Sequence, residues 1–194
     1  DKVYRRENLL SAFKKVKKNG GAGGIDHVTV EGFERNLEGE LAKLSADLEA
    51  GTYAPQAARR AYIEKLGSNE RRPLGIPTVR DRVCEGACRH VLEPIFEREF
   101  AGNSYGFRPG RSAKEALRRV DHELKAGKGF VVDADIERYF DTIPQSLLLQ
   151  HIAERIADGR VLRILQQMLE RGVLENREWK DTETGTPQGG VISP

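Results

Sequence analysis

Three aspartates, Asp133, Asp135 and Asp141, stand close together in the stretch Phe130–Ile143, which reads F-V-V-D-A-D-I-E-R-Y-F-D-T-I. Phe130, Val131 and Val132 are aromatic or β-branched and predict a short strand. Side chains alternate faces along a strand, so Asp133 and Asp135 would project on one side. Paired carboxylates at a strand end suit a hard divalent cation such as Mg2+, which takes oxygen ligands. The same aspartates would serve as well to cap the turn or helix that follows. Spacing leaves both readings open. Ile136, Tyr139 and Phe140 add apolar anchors beside the acids, and Asp141 adds a third carboxylate where the chain turns.

A chain of 194 residues has room for one domain or two small lobes with a real core. Hydrophobic residues make up 38% and charged residues 32%, the balance of a soluble globular protein. No apolar run approaches the roughly 20 residues a membrane helix needs, and no signal peptide precedes the first helix. The only cysteines, Cys84 and Cys88, lie four apart in a helical pattern. That spacing allows a metal half-site but predicts buried, reduced thiols in a cytosolic protein, and so a cytoplasmic location.

Charge is segregated although the net is only +2. Residues 1–20 hold seven basic against two acidic side chains, net +5, and residues 25–51 hold seven acidic against two basic, net −5. Basic residues return at Arg59, Arg60, Lys65, Arg71 and Arg72, then at Arg108, Arg111, Lys114, Arg118 and Arg119. Such patches fit a nucleic-acid surface, and solvated helix faces account for many of the same charges.

The elements that must position these groups follow from periodicity. Leu9, Leu10, Phe13 and Val16 predict an amphipathic helix over Tyr4–Lys18, ended by the G-G-A-G-G run at 20–24. Thr29 caps a second helix from about Glu31 to Ala50, with Gly51 as its stop. Ala58–Leu66 and Arg72–Ile76 predict a hairpin around Gly67. A helix starts at Val79 or Asp81, and Pro94 is expected to break or bend it. Ser112-Ala113-Lys114-Glu115 is a capping box opening a helix to about Ala126. Pro144 begins another to about Ala157, Gly159 separates it from a helix through Leu169, and Val173–Asn176 with Glu178–Thr182 predict a second hairpin.

Four stretches, in order, resemble one family: Arg72–Pro77 (R-P-L-G-I-P), Ser104–Ser112 (S-Y-G-F-R-P-G-R-S), Asp133–Ile143 and Gly185–Pro194 (G-T-P-Q-G-G-V-I-S-P). They are similar to the bacterial group II intron-encoded reverse transcriptases, also called maturases. The resemblance extends upstream through G-G-I-D and through T-Y-A-P at Thr52–Pro55, and so covers nearly the whole chain. It implies an α+β right-hand polymerase fold, helix-rich, with small antiparallel sheets. Residues 1–57 would be the N-terminal extension and start of the fingers, and residues 58–194 the fingers and partial palm. Thumb, maturase and endonuclease domains, and the aromatic-x-D-D hairpin with the other catalytic aspartates, are not in this sequence.

By that resemblance Asp135 is the first catalytic, metal-binding aspartate, with the main-chain carbonyl of Ile136 as companion ligand for one of two Mg2+ ions. Asp141 would hold the turn and Asp133 face solvent. Phe140 matches the steric gate against a ribonucleotide 2′-hydroxyl. Lys65 and Arg72 match residues that hold the incoming triphosphate through charge-assisted contacts, and Gln188 matches the glutamine lining the nucleotide site. Arg108 and Arg111 fall near the template path, where phosphate contact and a structural role in the loop are both open. Lys14, Lys15, Lys17 and Lys18 would be phosphate partners in the template grip, or simply solvated.

Two departures stand out: Glu64 precedes Lys65 where proline is usual, and Glu137 stands where lysine is common. The implied activity is RNA-directed DNA synthesis by the intact protein, supporting intron splicing and retromobility. The partners are an RNA template, a DNA primer, deoxynucleoside triphosphates and intron RNA. A single aspartate cannot build a two-metal site, so these 194 residues are not expected to polymerise alone. The alternatives are an RNA-binding splicing module, or a retron, diversity-generating or CRISPR-associated reverse transcriptase.

Overall fold

Helix α4 (Val79–Phe96) is the element the others pack around. In the computed structural model, which describes residues 1–64, 67, 71–176, 178–181, 184–186 and 189–192, Val79, Val83, Cys84, Ala87 and Cys88 of this helix have no solvent exposure. Thr78 caps it, its hydroxyl accepting from the Asp81 N–H. Pro94 lies inside the helix rather than ending it. It sits in the final turn, where the missing donor costs one hydrogen bond and the helix stops two residues later.

Helix α1 (Arg6–Asn19) crosses α4 with Leu9, Ala12, Phe13 and Val16 buried. The close approach is set by Gly86, where an added Cβ would lie 3.1 Å from the Ala12 Cβ. Two further helices finish this layer, α2 (Val30–Glu34) and α3 (Leu37–Ala50), in place of the single helix expected over Glu31–Ala50. The break falls at Asn36, whose φ of −124° leaves the helical region. Thr29 caps α2 as expected, and Gly51 ends α3 in the left-handed region at φ +73°. Phe13 stacks on Phe33 at 5.6 Å, and burial of such a ring contributes on the order of 2 kcal/mol. The core runs without interruption from Leu9 and Leu41 through Val83 to Leu165 and Met168, so residues 1–57 share it with the remainder.

Strands β1 (Ala58–Glu64) and β2 (Arg71–Ile76) form the expected hairpin, Arg59 facing Ile76 and Glu64 facing Arg71. The second expected hairpin, β3 (Val173–Glu175) with β4 (Glu178–Lys180), joins the same sheet, because β3 runs parallel to β1 through Ala58 and Val173. The order is β2-β1-β3-β4, one mixed sheet rather than separate antiparallel ones. Two helices precede β3: α7 (Gln145–Ala153), shorter than expected, and α8 (Gly159–Glu170), whose cap Asp158 accepts from the N–H groups of Arg160 and Val161.

The main correction concerns Phe130–Val132. No strand forms there, and Phe130 is 98% exposed. A strand needs a neighbour to pair its N–H and C=O groups, and among the described residues none lies alongside. The preceding helix α5 (Ala113–Lys125) forms as expected, its Ser112 hydroxyl accepting from the Glu115 N–H and donating to the Glu115 carboxylate. Its apolar stripe, Leu117, Val120 and Leu124, faces solvent.

Candidate nucleotide and template site

The glycine-rich segment ending the chain is fastened at both ends. At the first end the N–H of Thr186 donates to the Phe140 carbonyl at 2.7 Å, and the N–H of Gly185 to Ile143 at 2.8 Å. The Thr184 hydroxyl donates to the Asp141 carbonyl, and the Gln145 amide to Gly185. Phe140 belongs to a one-turn helix, α6 (Tyr139–Thr142), its half-buried ring edge-on to Tyr139 at 5.6 Å. Gly185, at φ +77°, lies so close that a Cβ would meet the Phe140 carbonyl oxygen at 2.4 Å. At the other end the N–H of Val191 donates to the Glu85 carboxylate of α4 at 2.5 Å. Between them Gly189 presses on β2, where a Cβ would meet the Gly75 carbonyl oxygen at 2.6 Å. Thr186 is thereby bonded to Phe140 and Gly189 laid against Gly75 of β2, the strand on which Arg72 is exposed. Lys65 and Gln188 themselves lie outside the described residues.

Asp135 and Ile136 are exposed in the irregular stretch where the strand was expected. Among the described residues no three His, Cys, Asp or Glu side chains gather to hold a metal. One carboxylate and one carbonyl are an incomplete oxygen cage for a divalent ion, so these residues do not complete a metal site among themselves. Asp141 engages Arg138 at 3.5 Å, in a turn that its own N–H closes on the Arg138 carbonyl at 2.9 Å.

Of the template candidates, Lys14, Lys15, Lys17 and Lys18 all lie exposed on α1, and Lys17 pairs with Glu34 at 2.5 Å. Arg108 spends its donors within its own loop: on Glu97 at 2.7 Å and on the carbonyls of Ala101 and Ser104. The guanidinium holds the Glu97 carboxyl below its usual range by direct hydrogen bonding. Arg108 therefore shapes the loop. Arg111 stays exposed, its guanidinium 5.5 Å from the Tyr105 ring.

Several positioning residues carry no sequence signal. Arg82 donates to the carbonyls of Gly20 and Ala22, and Arg59 to that of Gly23, so two arginines grip the glycine loop by its oxygens. A buried Asp81 accepts from the Tyr53 hydroxyl at 2.7 Å, the Thr78 hydroxyl and the Gln56 N–H, tying T-Y-A-P to α4. Burial pushes the Tyr53 hydroxyl well above its usual pKa. It likewise raises the Cys84 thiol, and both cysteines are free and buried as expected. A cleft of about 380 Å³ between α1, α4 and the Arg108 loop is lined by Lys15, Arg82, Arg89 and His90. Arg89 and His90 went unnoticed in the sequence because charges inside a helical pattern read as its solvated face.

Comparison with known proteins identifies the family. Residues 63–194 match the family described as reverse transcriptase (RNA-dependent DNA polymerase), and the chain belongs to that family. It is 40% identical over 194 residues to the group II intron-encoded protein LtrA of Lactococcus lactis subsp. cremoris, covering 99% of this chain and 32% of that protein. It is 38% identical over 175 residues to protein YkfC of Escherichia coli, covering 88% of this chain and 46% of the other. The chain thus spans about a third to a half of the length of these relatives. A solved structure, the partial Cas6-RT-Cas1–Cas2 complex, superposes with a TM-score of 0.63 at 18% identity, over 99% of this chain and 32% of that one. The likeness is one of fold and is consistent with a fingers–palm fragment.

Proposed function

We propose that this chain forms the fingers and first part of the palm of a group II intron-type, RNA-directed DNA polymerase. The observation that carries the reading is the set of contacts that bond Thr186 to the backbone of Phe140, the steric-gate candidate, lay Gly189 on Gly75 of β2 and tie Val191 to Glu85. Identity of 40% to an intron-encoded protein supports the intron type.

In this reading Arg72, with Lys65, holds the triphosphate of an incoming deoxynucleotide as charge-assisted hydrogen-bond donors. Gln188 lines the same site. The Phe140 ring fills the space a 2′-hydroxyl would need. A divalent ion, Mg2+ in pairs in the intact protein, would supply electrostatic stabilisation of the phosphoryl transfer. Asp135 and the Ile136 carbonyl would hold it together with ligands from outside this chain. Lys14, Lys15 and Lys18 meet the phosphates of an RNA template or intron RNA, and Arg111 meets the template beside the loop that Arg108 shapes.

Extension of a DNA primer on an RNA template by the intact protein tests this directly. Incorporation that requires Mg2+ and disappears in Asp135→Ala is expected. Full activity in that variant would sink the assignment. For the lysines, replacing Lys14, Lys15 and Lys18 with alanine should lower the salt slope of RNA binding by about two to three phosphate contacts.

A further inference from the structure

We infer that Glu85 and Arg171 are a positioning pair that fixes the backbone following the P-Q pair, and through it the fit of the nucleotide against Phe140. The inference rests on the proposed polymerase reading. Both side chains are buried, Glu85 completely, and they meet at 2.5 Å between α4 and the end of α8. Desolvating two charges offsets most of what their attraction contributes, so such a pair is a weak source of stability compared with apolar residues of the same shape. What an apolar pair cannot do is accept a hydrogen bond.

The Glu85 carboxylate divides its oxygens between two elements. Oε1 accepts from Arg171, and Oε2 accepts from the Val191 N–H at 2.5 Å. Arg89, one turn further along α4 and held by Glu93, donates to the Val191 carbonyl at 3.4 Å. The peptide groups around Val191 are thus held on both sides from one face of α4. Arg171 in turn precedes Gly172, whose carbonyl accepts from the Ala58 N–H where β1 begins. One carboxylate therefore ties the segment to both α4 and the sheet.

The described residues before Val191 are held as well. Its near end is bonded to Phe140, and Gly189 lies against the Gly75 carbonyl with no room for a side chain. Releasing Val191 lets the far end drift while Phe140 stays anchored. The cost should therefore fall on nucleotide fit rather than on folding.

Two double variants of the intact protein separate these effects. In Glu85→Met/Arg171→Met the buried pair becomes apolar and Val191 loses its acceptor. In Glu85→Gln/Arg171→Met an amide oxygen restores it. Hydrogen exchange of the Val191 amide should be faster by about tenfold or more in the first variant and slow again in the second. In primer extension the first should raise KM for deoxynucleotides by about tenfold with kcat within about threefold, and the second should return KM towards wild type. Equal exchange in both variants, or equal kinetic losses, would overturn the inference. An inactive wild-type protein would instead overturn the polymerase reading, and the exchange result alone would then decide whether Glu85 holds Val191.

Discussion

The Thr186 N–H donates to the Phe140 carbonyl at 2.7 Å, joining a residue of the glycine-rich segment to one five positions beyond Asp135. The contact is main chain to main chain, so it depends on how closely the backbones approach, and Gly185 sets that approach. Its φ of +77° is costly for any residue with a Cβ, by about 1–2 kcal/mol. The space a Cβ would occupy is already filled by the carbonyl oxygens of Phe140 and Asp141.

Gly185→Ala should therefore destabilise the fold by about 2 kcal/mol or more and lower primer extension in the intact protein. Gly51→Ala is the control. It shares the left-handed backbone at φ +73° but meets nothing within 4 Å, so its loss should stay near 1 kcal/mol. Urea midpoints of the two variants measure the difference. Equal losses would mean that contact with Phe140 contributes nothing.

Phe140→Ala tests the steric gate separately from the backbone contact, because the carbonyl that accepts from Thr186 remains. The half-buried ring touches Tyr139 edge-on, and its removal should cost about 1–3 kcal/mol of stability. The ratio of kcat/KM for deoxynucleotides over ribonucleotides should fall by about tenfold or more, mostly through better use of ribonucleotides. An unchanged ratio would assign the ring to packing alone.

How far the fold was legible follows from where each signal is stored. The caps at Thr29 and Ser112, the stop at Gly51 and the hairpin over 58–76 are local chemistry, and all appear. Phe130–Val132 failed for the complementary reason. β-propensity describes fit to a pleated surface with neighbours, and without a pairing strand the same residues stay irregular. The joining of the two hairpins depends on the parallel pairing of Ala58 with Val173, more than a hundred positions apart, which no window of sequence contains. For the candidate site, Asp135, Phe140 and Arg72 are singled out only by the motifs they stand in. Glu85, Arg82 and Asp81 are not, because a buried charge in a helix is written with the same letters as a solvated one.

Asp135 is exposed and makes no ion pair or side-chain hydrogen bond among the described residues, so nothing in the packing depends on it. Asp135→Ala should change stability by no more than about 0.5 kcal/mol. On the proposed reading, the same substitution in the intact protein should reduce primer extension by orders of magnitude, because the divalent ion would lose a ligand that no neighbour replaces. Thermal denaturation and single-turnover incorporation, measured on one preparation, separate the two effects. A large loss of stability would point to a structural aspartate instead.

His90 supplies a pH dependence with a definite sign. Asn8 donates through its amide nitrogen to the carbonyls of Lys2, Val3 and Ala87, so its oxygen faces His90 Nδ1 at 2.8 Å and the neutral ring carries its proton there. Burial lowers the pKa of His90 below its usual value, with Lys15 and Arg89 adding to the effect and Glu93 opposing it. The unfolded chain therefore binds the proton more readily than the native one. Stability should be full above about pH 6.5 and fall as the pH drops from there towards 5. His90→Gln removes the titrating group while keeping an amide donor for Asn8, so its melting temperature should fall less over that window. Parallel melting curves for wild type and variant between about pH 7.5 and 5 would show that the proton is taken up elsewhere.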